Sequence, residues 1–192
     1  MVSYLVVSAT KAEAAHVPAD VPVVITGVGK TAAAVAVTRA LAALPSHDDL
    51  VVVNIGTAGA LRDGMAGLHE PVAVLNHDLS ADALRAFGYD PQELFELREE
   101  AAGEQGVVLA TGDLFVSDPL VRDELAQRAH LVDMEGYAVV FAARAFGVPV
   151  RLVKHISDNA DETALEWVAL VDRSARVLAD RLAEIMSASE RT

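Results

Sequence analysis

The 192-residue sequence contains no cysteine. Disulfide staples, thiolate metal sites and cysteine nucleophiles are therefore excluded. Aromatic residues are scarce at 5%, against 53% hydrophobic residues, so Ala, Val and Leu carry most of the apolar content. That composition suits helices packed on a sheet better than an aromatic-rich all-β fold. Positive charge is also short: 15 Lys and Arg face 28 Asp and Glu, a net charge of −13. Nucleic acids and anionic membrane surfaces call for clustered Lys and Arg, so neither is an expected partner. No apolar run approaches the ~18 residues of a spanning helix. The opening MVSYLVVSATKAEAAHV lacks the basic n-region of a signal peptide, and a cytoplasmic location is expected. Six histidines, at 16, 47, 69, 77, 130 and 155, show no two-His helical spacing of the zinc type. No metal or other cofactor is expected. A chain of this length buries roughly 70% of its unfolded surface, enough for one full core, and a single domain over 1–192 is the expected organisation.

Short β-branched runs alternate with longer Ala-rich stretches. Tyr4–Val7, Val21–Thr26, Leu50–Ile55, Glu70–Leu75, Val107–Ala110 and Val148–Ile156 read as strands. Near-continuous apolar runs such as LVVVNI fit strands covered on both faces. Helices are expected over Lys30–Leu44, stopped by Pro45, and over Asp118–Ala129, with Ser117 as N-cap and Pro119 in the first turn. Two more are expected over Met134–Phe146, stopped by Gly147 and Pro149, and over Thr163–Ser187, with Leu165, Val168, Val171 and Leu178 on its apolar side. The alternation predicts an α/β fold, a three-layer α/β/α sandwich on a mixed, largely parallel central sheet. Ser80–Gln105, rich in Glu and Gly and holding the exposed-looking Phe87, Tyr89 and Phe95, is expected to be an excursion from the core.

Four segments follow such strands directly, where open α/β sheets collect ligands. Gly27-Val28-Gly29-Lys30 is either a tight strand-to-helix turn or an anion-ready helix start. Gly56-Thr57-Ala58-Gly59-Ala60-Leu61 either leaves room for a ligand against the backbone, with the Thr57 hydroxyl as donor, or is a turn whose glycines need positive φ. Gly112-Asp113-Leu114-Phe115-Val116-Ser117-Asp118 sets an aromatic before an aliphatic: a sandwich for a planar base, or a core Phe beside a capped helix. Val132-Asp133-Met134-Glu135-Gly136 and Ile156-Ser157-Asp158-Asn159 each end an apolar segment in carboxylates. A carboxylate can accept the vicinal hydroxyls of a ribose. Asp158 also reads as an N-cap, and Glu135 as a first-turn residue favoured by the helix dipole.

Together TGVGK, NIGTAGAL, NHD with AFGYDP, GDLFVSD, VDMEGYAV and HISDNADE follow in an order that resembles the nucleoside phosphorylase/nucleosidase superfamily. Within it, the 5′-methylthioadenosine/S-adenosylhomocysteine nucleosidases are the most similar. The resemblance runs from Val23 to Glu162, and MEG followed by SDxAD is its most specific part. It implies an N-glycosidase that takes a small-molecule nucleoside, releases adenine and works as a homodimer without a cofactor. Asp158 is then the general acid that protonates purine N7, because expelling an adenine anion is costly. Glu135 accepts the ribose 2′ and 3′ hydroxyls, Met134 packs under the sugar, and Phe115 stacks on the purine. Val116 bonds the base edge through its backbone. Thr57, Ala58 and Gly59 line sugar and base, and Val28 and Ser157 complete the substrate-binding set. Glu13 is matched to the acid that positions the attacking water, with a surface glutamate on a short helix as its alternative. Lys154 stands where the family has an arginine near that water, keeping the charge without the planar fork. Phe87, with Tyr89, matches residues lent to the neighbouring subunit's 5′ pocket.

The sequence also departs from the family. Only a dozen residues separate Glu13 from Thr26, too few for the hairpin usual there, so the fold is expected to be truncated near its N-terminus. Thr10 replaces an apolar residue near the 5′ group, and His155 replaces a small one beside the SD motif. The phosphorylases' early Gly-Asp-Pro-x-Arg element is absent, and Asn54-Ile55 stands where several of them place an arginine. Arg39 and Arg62 read as helix or turn surface. Water is therefore the expected nucleophile. The alternatives are a phosphate-dependent purine nucleoside phosphorylase and a catalytically silent nucleoside-binding protein on the same fold.

Overall fold

Leu50–Ala60 forms the longest strand of the protein, and the rest of the sheet is arranged around it. The computed structural model describes residues 2–97, 106–161 and 167–189. Its strands are β1 (Ser3–Ser8), β2 (Val23–Ile25), β3 (Leu50–Ala60), β4 (Leu68–His69), β5 (Ala73–Asn76), β6 (Leu94–Glu96), β7 (Val108–Thr111), β8 (Leu131–Asp133) and β9 (Val150–Asp158). Its helices are α1 (Lys30–Ala42), α2 (Ala81–Ala86), α3 (Pro119–Leu125), α4 (Gly136–Ala145) and α5 (Trp167–Ser189). Among the described residues one nine-stranded sheet runs β2-β1-β3-β8-β7-β5-β6, with β9 also paired to β3 and β4 paired to β9. The pairs β1–β2, β1–β3, β3–β9, β5–β7 and β7–β8 are parallel; β3–β8, β4–β9 and β5–β6 are antiparallel.

Neighbouring residues of β3 face opposite layers, as the strand period of two requires. Val52 packs in a core with Val37 and Leu41 of α1 and Val139 and Val140 of α4. Val53 and Ile55 pack on the other side against Leu178, Leu182 and Ile185 of α5. The sheet is thus the middle of an α/β/α sandwich. In α5 the buried Val171, Ala175, Leu178, Leu182 and Ile185 recur at helical spacing, while Asp172, Arg173, Arg176 and Asp180 face solvent. Burial of each such Leu or Ile contributes about 1.5–3 kcal/mol. Among the described residues no helix is long and apolar enough to cross a membrane.

Several sequence expectations change. GTAGA is not a turn: β3 continues through it. The N-cap of α3 is Asp118, whose carboxylate accepts the Leu120 N–H, and not Ser117. The strand expected over Glu70–Leu75 shrinks to β5, starting at Ala73 after Pro71, which has no N–H for a ladder, and the unexpected β4 precedes it at Leu68–His69. Phe95 is half-buried in β6, where its ring meets Tyr137 at 5.3 Å and Phe141 at 6.1 Å. Phe87 and Tyr89 are exposed as expected, beyond the end of α2. Leu165, and the side chain of Val168, lie outside the described residues. Between β1 and β2, residues 9–22 hold turns and no strand, so the family hairpin is missing.

Candidate active site

A cavity of about 240 Å³ opens where β1, β2, β3, β7, β8 and β9 end. Ala9, Thr10 and Glu13 reach it from the turn after β1, and Val28 from the loop before α1. Thr57, Ala58 and Gly59 line it from within β3, Leu114, Phe115 and Val116 from the loop after β7, and Asp133, Met134 and Glu135 from the end of β8. Ser157 and Asp158 close it from the end of β9. The glycines of β3 serve close approach. A Cβ on Gly56 would lie 3.3 Å from both Glu13 Oε1 and Lys154 Nζ, and one on Gly59 would lie 2.9 Å from Ala160 Cβ and 3.0 Å from Asp158 Oδ1. Two carboxylates therefore seat on one bare stretch of strand.

Glu13 is buried, not a surface residue. Its Oε1 accepts the Thr57 N–H at 2.8 Å and the Thr57 hydroxyl at 2.9 Å. Its Oε2 accepts the Thr10 N–H at 3.1 Å and the Thr10 hydroxyl at 2.9 Å. Lys154 is fully buried on β9, and its Nζ lies 2.8 Å from Asp133 Oδ2. Burial alone would lower the Lys154 pKa, but the charge of Asp133 and its hydrogen bond outweigh that and hold it above the ordinary lysine value. Asp133 also accepts from the Thr111 hydroxyl at 2.5 Å and the Gly136 N–H at 2.9 Å. Sequence reasoning did not assign Asp133; a charged residue closing the apolar run HLVD, with a lysine closing another, was the available signal.

Glu135 sits at the N-cap position of α4, yet its side chain serves another helix: Oε1 accepts the Gly29 N–H at 2.8 Å, at the start of α1. Gly29 has φ 96, which turns that N–H toward the cavity, and a Cβ there would meet Asp113 Oδ1 at 3.1 Å. The next N–H, of Lys30, is taken by Asp113 Oδ1 at 2.7 Å. Lys30 Nζ in turn pairs with Asp78, whose other oxygen accepts the Asp113 N–H at 2.9 Å. This lattice laces together the loops before α1, after β5 and after β7. Burial first, and the nearby Asp133 charge second, push Glu135 up to about 7 against the opposing pull of Lys154.

Asp158 is half-buried, and its Oδ1 accepts the Ala160 N–H at 2.9 Å. The Ser157 hydroxyl donates to its Oδ2 at 2.6 Å. No helix starts there among the described residues, so Asp158 is not a helix cap. Phe115 is 48% exposed at the cavity rim, with Val28 and Leu114 also exposed beside it. Phe87 is 78% exposed and does not line the cavity. Of the residues given a catalytic or substrate-binding role in the sequence, all but Phe87, its companion Tyr89 and the supporting Lys154 line this one cavity, and Lys154 pairs with Asp133 of its lining. Among the described residues no three His, Asp or Glu side chains are grouped to hold a metal ion.

A family model described as Phosphorylase superfamily matches residues 16–189. The aminodeoxyfutalosine nucleosidase of Helicobacter pylori (strain ATCC 700392 / 26695) is 31% identical over 157 residues, 67% of this chain and 68% of that protein. The 5′-methylthioadenosine/S-adenosylhomocysteine nucleosidase of Shewanella sp. (strain W3-18-1) is 29% identical over 166 residues, 74% of this chain and 69% of that protein. Among solved structures, the Neisseria meningitidis 5′-methylthioadenosine/S-adenosylhomocysteine nucleosidase in complex with methylthio-immucillin-A has a TM-score of 0.81 at 21% identity, covering 98% of this chain and 100% of that one. The Helicobacter pylori futalosine hydrolase matches with a TM-score of 0.80 at 22% identity, over 97% of each chain. At such identities the structures establish the fold. The chain belongs to the phosphorylase superfamily. Within it, the chain is an N-glycosidase.

Proposed function

We propose that the protein hydrolyses the N-glycosidic bond of an adenine nucleoside such as 5′-methylthioadenosine or S-adenosylhomocysteine, with water as the nucleophile. The observation that carries this reading is the seating of Glu13 and Asp158 along β3. Glu13 docks on Thr57 and Asp158 against Gly59. Thr57 and Gly59 are two residues apart in β3, and both acids line the one cavity. An anomeric carbon between two such acids has a proton donor for its leaving group and an acceptor for water. Asp158 gives a proton to purine N7 as the C1′–N9 bond breaks and its electron pair leaves with the base. Water adds to C1′ and loses a proton to Glu13. The products are adenine and the free sugar. The cationic, ribooxocarbenium-like transition state is favoured by the acidic lining of Glu13, Asp133 and Glu135. Glu135 holds the ribose hydroxyls, Met134 supports the sugar, and Phe115 and Val116 hold the base.

Three observations favour water over phosphate. The N–H groups that open α1, the natural anion seat, are filled by Glu135 and Asp113. Lys154 is committed to Asp133. Asn54 is buried, with its amide donating to the Val7 carbonyl, and supplies no charge.

The same reading includes a homodimer. Phe87 and Tyr89 are exposed aromatics, and aromatics of this kind commonly anchor interfaces. A second copy covering them would carry Phe87 to the 5′ side of the neighbouring cavity.

The test is adenine release from 5′-methylthioadenosine, S-adenosylhomocysteine, aminodeoxyfutalosine and adenosine. Turnover of at least one, abolished in Asp158→Asn, supports the reading. Binding of these nucleosides without any adenine release would overturn the substrate reading.

A further inference from the structure

We propose that Thr10 is a positioning residue for Glu13, and that a capping box turned to a new purpose makes the loop after β1 a rigid mount for that acid. The proposal rests on the reading of Glu13 as the group that orients water. Thr10-Lys11-Ala12-Glu13 has the T-x-x-E spacing of a capping box, and both of its reciprocal bonds are present. The Glu13 N–H donates to Thr10 Oγ1 at 3.2 Å, and the Thr10 N–H donates to Glu13 Oε2 at 3.1 Å. A capping box ordinarily opens a helix. Here residues 11–16 form only turns, with loose bonds such as Ala14 N–H to the Thr10 carbonyl at 3.4 Å. The box has no helix to start, and what it holds is the carboxylate.

The Thr10 hydroxyl adds a bond that the box does not require, donating to Glu13 Oε2 at 2.9 Å. Together with the Thr57 N–H and hydroxyl on Oε1, four donors grip one carboxylate from the loop after β1 and from β3 itself. A carboxylate offers about four lone-pair sites, so this set fixes its plane as well as its place. Two of the four are backbone N–H groups and cannot turn. The two hydroxyls can, and either can rotate its proton toward an incoming water while its oxygen stays in place. The frame thus holds Glu13 still and leaves it able to accept. Thr10 occupies the position that the sequence resemblance gives to an apolar side chain near the 5′ group. Its hydroxyl is turned to Glu13.

The experiment compares Thr10→Val, nearly isosteric without the hydroxyl, with Thr10→Ser, in the wild-type and Glu13→Gln backgrounds. Adenine release from 5′-methylthioadenosine and adenosine gives kcat and KM. Misplacing a catalytic group by about 1 Å can cost on the order of 100-fold, so Thr10→Val is expected to lower kcat by about 10- to 100-fold, with KM within about threefold. Thr10→Ser retains kcat within about threefold, and Thr10→Val costs nothing further in the Glu13→Gln background. Retained kcat in Thr10→Val, an equal loss in the Glu13→Gln background, or failure of Thr10→Ser overturns the proposal. An independent readout is the amide proton resonance of Thr57, whose N–H reports the Glu13 carboxylate directly. It should move in folded Thr10→Val and stay in Thr10→Ser; an unmoved resonance in Thr10→Val also overturns the proposal. If the wild type releases no adenine, the functional reading fails and this resonance alone decides the role of Thr10.

Discussion

Glu135 is buried in the cavity beside Asp133 and Glu13, and its protonation follows from that setting. Its value of about 7 lies above the ordinary 4.5, chiefly through burial. The native state therefore holds a proton that the unfolded chain has lost. Its contribution to stability is complete below about pH 4.5 and declines as pH rises through about 7. In the proposed binding mode ribose hydroxyls donate to the ionised form, so binding runs the other way. In an Asp158→Asn host, expected to bind without cleaving, affinity for 5′-methylthioadenosine should rise about tenfold from pH 6 to pH 8. Calorimetry across that range checks it, and Glu135→Gln should bind more weakly with a flat profile. Asp158→Asn itself should lower turnover by about 10²- to 10⁴-fold while leaving the fold intact. A variant within about threefold of wild type would remove Asp158 from the role of acid.

At the scale of the element, β3 joins fold to site. LVVVNI was legible as a buried strand, because a run of Val and Ile has few other uses in a chain with this alternation. Its continuation through GTAGA was not, since glycine is equally suited to a turn with positive φ and to a strand that another group must approach. Only the tertiary neighbours decide between these uses. The three-residue strands β6 and β8 were hidden for a related reason: they are too short to show a period. The site's composition was legible because its motifs end apolar runs. Its internal wiring, from Asp133 to Lys154 and from Gly29 to Glu135, joins residues far apart in sequence and left no local pattern. The Thr10–Glu13 box was visible as spacing but carried no apolar run after it to mark a helix. Gly59→Ala tests the element directly. Its new Cβ, 2.9 Å from Ala160 Cβ and 3.0 Å from Asp158 Oδ1, must displace one or both. A loss of about 1–3 kcal/mol is expected in denaturant unfolding. Adenine release should fall further than that loss explains, because the displaced group is the proposed acid.

For the whole molecule, the net charge of −13 and the exposed Phe87 and Tyr89 pull in different directions. Charge favours separate, soluble copies, whereas the aromatics favour association. Sedimentation at micromolar concentration should show a dimer, and Phe87→Ala should raise KM for 5′-substituted nucleosides more than affinity for free adenine changes. A fully active monomer would return Phe87 to an ordinary place on the surface. The acidic lining of the cavity has a consequence for chemistry that reaches beyond any one residue. The proposed hydrolysis rests on a site whose N–H donors and buried cation already serve the protein's own carboxylates rather than a phosphate dianion. The most direct measurement is therefore adenine release from 5′-methylthioadenosine in phosphate-free buffer and in millimolar phosphate, with the sugar product identified by mass. Equal rates and a free sugar in both are predicted. Release that depends on phosphate and yields the sugar 1-phosphate would contradict the account.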